Sequence, residues 1–210
     1  ANWLIANGAR HLALCARYSA DATKLQRIEH WREQGATIQL FETDISDRHQ
    51  VKTLLGELQQ QATPLTGIFH IAGVIRDKLI NNLQWQDFEA VMAPKVAGTW
   101  NLHQETQTIP LTHFVCFSSI AAFIGNAGQA NYSAANAFVD QLMQWRRANG
   151  LPGQSMGQDL QASAHRFEVS AMPVQETAYG VAWLWDQSLG QVAQAQLHLA
   201  TDAQPAQHRR

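Results

Sequence analysis

Four consecutive apolar residues, Phe114-Val-Cys-Phe117, stop at Ser118-Ser119, and helix-spaced apolar positions begin again only at Ala130. A short run rich in β-formers and bounded by polar residues reads as a strand buried on both faces. Gly125, Asn126 and Gly128 make the connection turn-rich, and Ala130, Ala134, Ala137, Phe138 and Leu142 then follow helical spacing. The stretch is therefore a strand, loop and helix in series. Ser119 sits just past the strand's C-terminal end, where open α/β sheets bind ligands, and Tyr132 lies at the start of the next helix. Asn136 follows four residues later, one turn along the same face.

The rest of the chain repeats this alternation. Residues 2–7 read as the last turns of a helix stopped by Gly8. Strands are expected at His11–Ala16, Thr37–Phe41 and Gly67–Ala72, with helices at Asp21–Gln34 and Asp47–Gln61 between them. A long helix is expected over Gln84–Gln107, interrupted near Pro94. Strands alternating with helices of this length indicate βαβ units and a parallel sheet with helices on both faces. Beyond the central helix, the polar Gly153–Asp159 is a weak strand, Val174–Gln187 a helix and Gln191–Leu199 a last strand. Residues 1–200 form one domain in this reading, and Thr201–Arg210, almost devoid of apolar residues, is a linker or disordered tail.

Composition narrows the function classes. A net charge of −2 with scattered basic residues gives no basic field for nucleic acid or a membrane surface. No apolar run approaches the roughly 20 residues that span a bilayer, and the N-terminus lacks a signal arrangement, so a cytoplasmic setting is expected. The 9 histidines form no His-x-x-x-His pair and the 2 cysteines no Cys-x-x-Cys, so no metal site is expected. Cys15 and Cys116 fall inside the expected strands, as reduced structural thiols do.

A hydroxyl, a phenol and a carboxamide converging at a strand's end can bind and protonate a carbonyl oxygen. A phenol, with a reference pKa of about 10, is a poor acid alone, and a nearby ammonium lowers that value by stabilising the phenolate. Lys95, in Ala93-Pro-Lys-Val-Ala-Gly98, is the candidate ammonium. With these residues the chain resembles the ketoreductase domain of modular polyketide synthases, a branch of the short-chain dehydrogenase/reductase family. Ordinary members carry Tyr-x-x-x-Lys, whereas this branch has Tyr-x-x-x-Asn with its lysine upstream, the pattern of Tyr132, Asn136 and Lys95. The spacings from Ser119 and from Lys95 to Tyr132 agree as well.

The resemblance implies a Rossmann-like fold and NADPH-dependent reduction of a β-ketoacyl thioester on an acyl carrier protein, inside a multidomain synthase. It implies Lys95, Ser119, Tyr132 and Asn136 as the catalytic set. For the cofactor it implies Arg17 on the 2′-phosphate, Asp44 with Ile45 at the adenine, and His70, Ala72 and Gly73 at the ribose. Read alone, Arg17 is a solvated loop residue, and Asp44 is equally a helix cap, a task that Ser46 or Asp47 could take instead. Ile75-Arg76-Asp77 stands where so-called B-type members carry Leu-Asp-Asp, and Ile124 where A-type members place a tryptophan. Leu151–Met172 takes the place of the family's lid and lacks its two tryptophans, which predicts a poorly ordered segment.

A dinucleotide fold opens with a strand and Gly-x-Gly-x-x-Gly at the first helix, where backbone N–H groups meet the pyrophosphate. No such motif occurs in the 210 residues. The expectation is a sheet without its central first strand, leaving either a gap between the strands at Leu12 and Ile68 or a collapse that moves Ser119 and Tyr132 relative to Arg17. The alternative function is accordingly a non-catalytic remnant that keeps the catalytic letters without binding cofactor.

Overall fold

The computed structural model describes residues 1–157 and 179–183. In chain order the elements are α1 (Asn2–Ala6), β1 (His11–Ala16), α2 (Ala22–Glu33), β2 (Thr37–Glu42), α3 (Arg48–Gln59) and β3 (Leu65–His70). There follow α4 (Trp85–Met92), a π-helical turn (Ala93–Ala97), α5 (Gly98–Glu105), β4 (His113–Ser118), α6 (Ala121–Ile124), α7 (Ala130–Ala148), β5 (Gln154–Gly157) and β6 (Tyr179–Trp183). Local chemistry sets these limits. Asp21 caps α2 by accepting from the Lys24 N–H, and Asp47 caps α3 by accepting from those of His49 and Gln50. Pro94, which has no N–H, falls in the π-turn that separates α4 from α5, so the expected long helix is broken where its sequence says it must be.

All six strands are parallel, in the order β2-β1-β6-β3-β4-β5. Side chains alternate across β1: Leu12 and Leu14 join Trp3, Ile28 and Trp31 of α1 and α2, whereas Ala13 and Cys15 join Val51, Leu54, Leu55 and Leu58 of α3. Leu102 of α5 and Val139 and Met143 of α7 complete the second layer, so helices cover both faces. The two cysteines are free and buried.

The middle of the sheet differs from the sequence reading. There is no gap between β1 and β3: β6 lies there, with Leu12 and Ile68 facing Gly180 and Val181 in the two ladders. The segment Tyr179–Trp183 is thus a strand and not part of a helix over 174–187. The physical reason is long-range. Two buried strands each present a row of backbone donors and acceptors that must be paired, and Tyr-Gly-Val-Ala-Trp carries the aromatic and β-branched residues a strand tolerates best. The resulting arrangement is the 3-2-1-4-5-6 order of a doubly wound fold, with the central place taken by a strand from late in the chain. Val181→Pro tests this directly. It removes a donor between two neighbours, Ala13 and Ile68, and leaves a buried acceptor unpaired. A loss of about 1–3 kcal/mol in urea unfolding is expected; unchanged stability would show that β6 does not hold the sheet together.

The weak strand at Gly153–Asp159 is real as β5 over Gln154–Gly157. The first residues of the expected lid are therefore tied down: Leu151 N–H donates to Arg146 O, and the carbonyls of Pro152 and Gly153 accept from Arg146 and Arg147. Arg146 is itself buried, its guanidinium 3.9 Å from the Phe114 ring centroid. The rest of that segment, the expected strand Gln191–Leu199 and the tail lie outside the described residues.

Candidate active site

Because the strands are parallel, their C-terminal ends share one edge of the sheet, and the residues singled out in the sequence gather along it. Arg17 follows β1, Asp44 and Ile45 follow β2, Ala72 and Gly73 follow β3, and Ser119 follows β4. This is the edge at which open α/β sheets take ligands.

Lys95 is brought to that edge by the π-turn. An isolated lysine on a helix is normally solvated, yet this one is only 2% exposed, and its Nζ donates to the carbonyl of Phe117, at the end of β4. The path of its stem explains Gly73: a Cβ added there would lie 2.9 Å from Lys95 Cε. The carbonyl of Lys95 accepts from the Thr99 hydroxyl, which holds the start of α5.

Ser119 is buried, and its Oγ accepts from the Ala121 N–H, forming the turn that starts α6. Tyr132, 5% exposed, packs with Val91 of α4, Ala121 of α6 and Ala135 of its own helix, with Met92 and Val96 at the margin. The side chain therefore sits between the element that carries Lys95 and the turn that carries Ser119. Asn136 is fully buried one turn on; its Nδ2 donates to Tyr132 O at 2.8 Å, and the Ser118 hydroxyl donates to Asn136 O. Its Oδ1 is buried and has no hydrogen-bond partner among the described residues.

The Lys95 charge acts on three titratable groups at this end. His70 is buried at the end of β3, where its Nε2–H donates to Pro94 O at 3.0 Å. Burial first, then the Lys95 charge, lower its pKa to about 3, so the ring is neutral at ordinary pH. Burial pushes the Cys116 thiol up to about 12, which keeps it protonated although Lys95 acts in the opposite sense. Asp140, one turn beyond Asn136, is raised by burial, while bonds from Ser118 and Ser155 and the Lys95 charge pull it back.

His70 has a consequence for stability. Its folded pKa lies below the 6.5 of the free ring, so between these values the unfolded chain binds the proton more readily. The contribution of the neutral ring is complete above pH 6.5 and falls as pH drops toward about 3. Urea unfolding across this window is expected to show a slope that His70→Asn reduces; identical slopes would mean that the ring does not titrate on unfolding.

At the other end of the edge, Arg17 is exposed, with its guanidinium 5.8 Å from the Tyr18 ring centroid. Ser19 donates to Glu42 nearby. The question left open for Asp44 is answered by Asp47, which caps α3; Asp44 instead accepts from Ser46 N–H and Oγ at 2.9 and 2.6 Å. Ile45 is turned inwards beneath Gly98, and Asn101 Nδ2 donates to the carbonyls of Ile45 and Ser46 at 3.0 Å each. Any ligand would meet Ile45 through its backbone. Sequence reasoning missed Asn101, Asn131 and Asp140, because a polar residue inside a helix carries no local sign of what it will touch.

Among the described residues no group of histidine, cysteine or carboxylate side chains is placed to hold a metal, and no helix is long and apolar enough to cross a membrane.

Comparison with known proteins agrees with this geometry. Residues 1–162 match the family described as KR domain. A hybrid PKS-NRPS synthetase, pynA, of Aspergillus niger is 40% identical over 157 residues, covering 74% of this chain and 4% of that protein. The phenolphthiocerol synthesis polyketide synthase type I Pks15/1 of Mycobacterium marinum is 40% identical over 158 residues, 75% of this chain and 8% of that protein. The chain thus spans less than a tenth of the length of these relatives. The crystal structure of a ketoreductase domain from the bacillaene assembly line superposes with a TM-score of 0.69 at 32% identity, covering 73% of this chain and 40% of that one. With the doubly wound sheet and the clustered lysine, serine, tyrosine and asparagine, these matches establish that the chain belongs to the ketoreductase domain family of modular polyketide synthases.

Proposed function

We propose that this chain acts as the cytoplasmic NADPH-dependent ketoreductase domain of a multidomain synthase, reducing a β-ketoacyl thioester on an acyl carrier protein to the β-hydroxyacyl thioester. The observation that carries the reading is the gathering of Lys95, Ser119, Tyr132 and Asn136 at the C-terminal ends of the strands in a member of this family.

The donor set suits the two ends of a nicotinamide dinucleotide phosphate. Arg17 is cationic and exposed, as a residue pairing with a 2′-phosphate must be. Asp44 and the backbone of Ile45 would hold the adenine, and His70, Ala72 and Gly73 would border the ribose next to the nicotinamide. When bound, NADPH supplies the hydride. The protein supplies everything that concerns the oxygen. Ser119 and Tyr132 hydrogen-bond the ketone oxygen, and as negative charge develops there the Tyr132 hydroxyl transfers its proton to it. The Lys95 ammonium stabilises the phenolate left behind. Asn136 Oδ1, buried and open, holds the Lys95 ammonium or a water through which the proton is replaced. Delivery on a tethered carrier substitutes a high effective concentration for tight binding of the acyl chain.

The test is reduction of a β-ketoacyl thioester by a form of the domain given a strand and glycine-rich turn ahead of Asn2. Consumption of NADPH with formation of the β-hydroxy thioester is expected; its absence would overturn the reading. Asp77 and Ile124 favour the configuration of B-type members, and chiral chromatography showing the L-configured product would refute that assignment.

A further inference from the structure

We infer that Asn131, which touches none of the reacting groups, is the positioning residue that fixes Tyr132 against both the Lys95-bearing helix and the loop after β3. The inference rests on the reading of Tyr132 as the proton donor. Asn131 is fully buried and uses its whole amide. Its Nδ2 donates to Arg76 O at 3.1 Å and to Asp87 O at 3.2 Å, and its Oδ1 accepts from the Tyr132 N–H at 2.8 Å. One side chain thus joins three backbone segments: the loop 71–79, α4 and the first turn of α7.

Each partner is itself held. Asp87 is only 8% exposed and receives both Lys78 Nζ bonds, at 2.9 and 2.8 Å, and the Gln84 N–H of its capping box. The loop is pinned again where Lys78 N–H donates to Gly128 O and Gln129 Nε2 donates to Asp77. Against this frame α7 begins weakly, because its N-cap residue Gln129 makes no side-chain cap. The first N–H groups of a helix have no partner within it, so the Tyr132 N–H depends on Asn131. α4 runs directly into the π-turn with Lys95, so the bond to Asp87 O sets how far Tyr132 stands from the lysine. The bond to Arg76 O sets Tyr132 against the loop after β3. A shift of about 1 Å between such groups costs on the order of a hundredfold in rate.

The test needs no turnover and uses the chain itself. In the wild type, amide exchange followed by NMR is expected to be at least about tenfold slower at Tyr132 than at Ala130, its neighbour in the uncapped turn. Equal rates would overturn the clamp without any variant being made. Asn131→Asp keeps the acceptor but sets an oxygen against two carbonyls, and Asn131→Ala removes all three bonds should the first not fold. With 13C-labelled tyrosine, assigned by Tyr132→Phe, the phenol titration of Tyr132 is expected to move up by about half a unit or more in either variant, toward its value in Lys95→Met. The Tyr18 signal stays where it was. A folded variant with an unmoved Tyr132 titration would make Asn131 merely structural. If Lys95→Met itself leaves Tyr132 unmoved, the assigned role of the lysine fails, whereas the amide exchange still decides the role of Asn131.

Discussion

Tyr132→Phe is expected to lower ketone reduction by about 10²–10⁴-fold in a form of the domain that binds NADPH, with no loss of fold. The substitution removes one oxygen. The ring stays where Val91, Ala121 and Ala135 hold it, so packing and the backbone bonds at the start of α7 are kept. What disappears is the group proposed to hand a proton to the developing alkoxide. The other candidates cannot replace it. Lys95 is assigned to stabilising the phenolate, the aliphatic hydroxyl of Ser119 is a far weaker acid than a phenol, and His70 is neutral and bonded to Pro94 O. Stopped-flow or steady-state NADPH oxidation reads the rate, and quenching of protein fluorescence reads cofactor binding. A large fall in kcat with unchanged NADPH affinity is the expected pattern. A variant that reduces the ketone at near wild-type rate would remove Tyr132 from the mechanism.

The elements that decided themselves locally were legible in the sequence. β1 and β4 are short apolar runs, and α3 carries Val51, Leu54, Leu55 and Leu58 at helical spacing after a capping aspartate, so pattern and capping pointed the same way. β6 was not legible, because Tyr179–Trp183 becomes a strand through its parallel ladders with β1 and β3, which are far away in sequence. The site divides along the same line. Ser119, Tyr132 and Asn136 lie close together on one strand–loop–helix unit and declared themselves by spacing. Lys95 joins them only because the π-turn at Pro94 folds back on β4; the phenol's need for a nearby ammonium named it as a candidate, and the family spacing supported it. Asn131 stands beside Tyr132 in the sequence, but its partners at Arg76 and Asp87 belong to other elements, so nothing local distinguished it.

The second large effect concerns the cofactor's pyrophosphate: the 210-residue chain is expected to bind NADPH at least about a hundredfold more weakly than a form given a strand and glycine-rich turn ahead of Asn2. A hydrogen bond to a charged group contributes about 1.5–3 kcal/mol, so forgoing two of the backbone N–H bonds such a turn provides costs at least about 3 kcal/mol, or a hundredfold. In a doubly wound fold this cradle follows the central strand. Here β6 holds the central place, and no Gly-x-Gly-x-x-Gly occurs in the 210 residues. Arg17, at the end of β1, is proposed to meet only the far phosphate. The added strand must also compete with β6 for the same ladders of β1 and β3. Titration of both forms with NADPH should therefore show the affinity gap, and amide exchange at residues 179–183 should quicken in the extended form as the native occupant is displaced. Micromolar binding of NADPH by the unmodified chain would refute the expectation and make the pyrophosphate cradle dispensable in this domain.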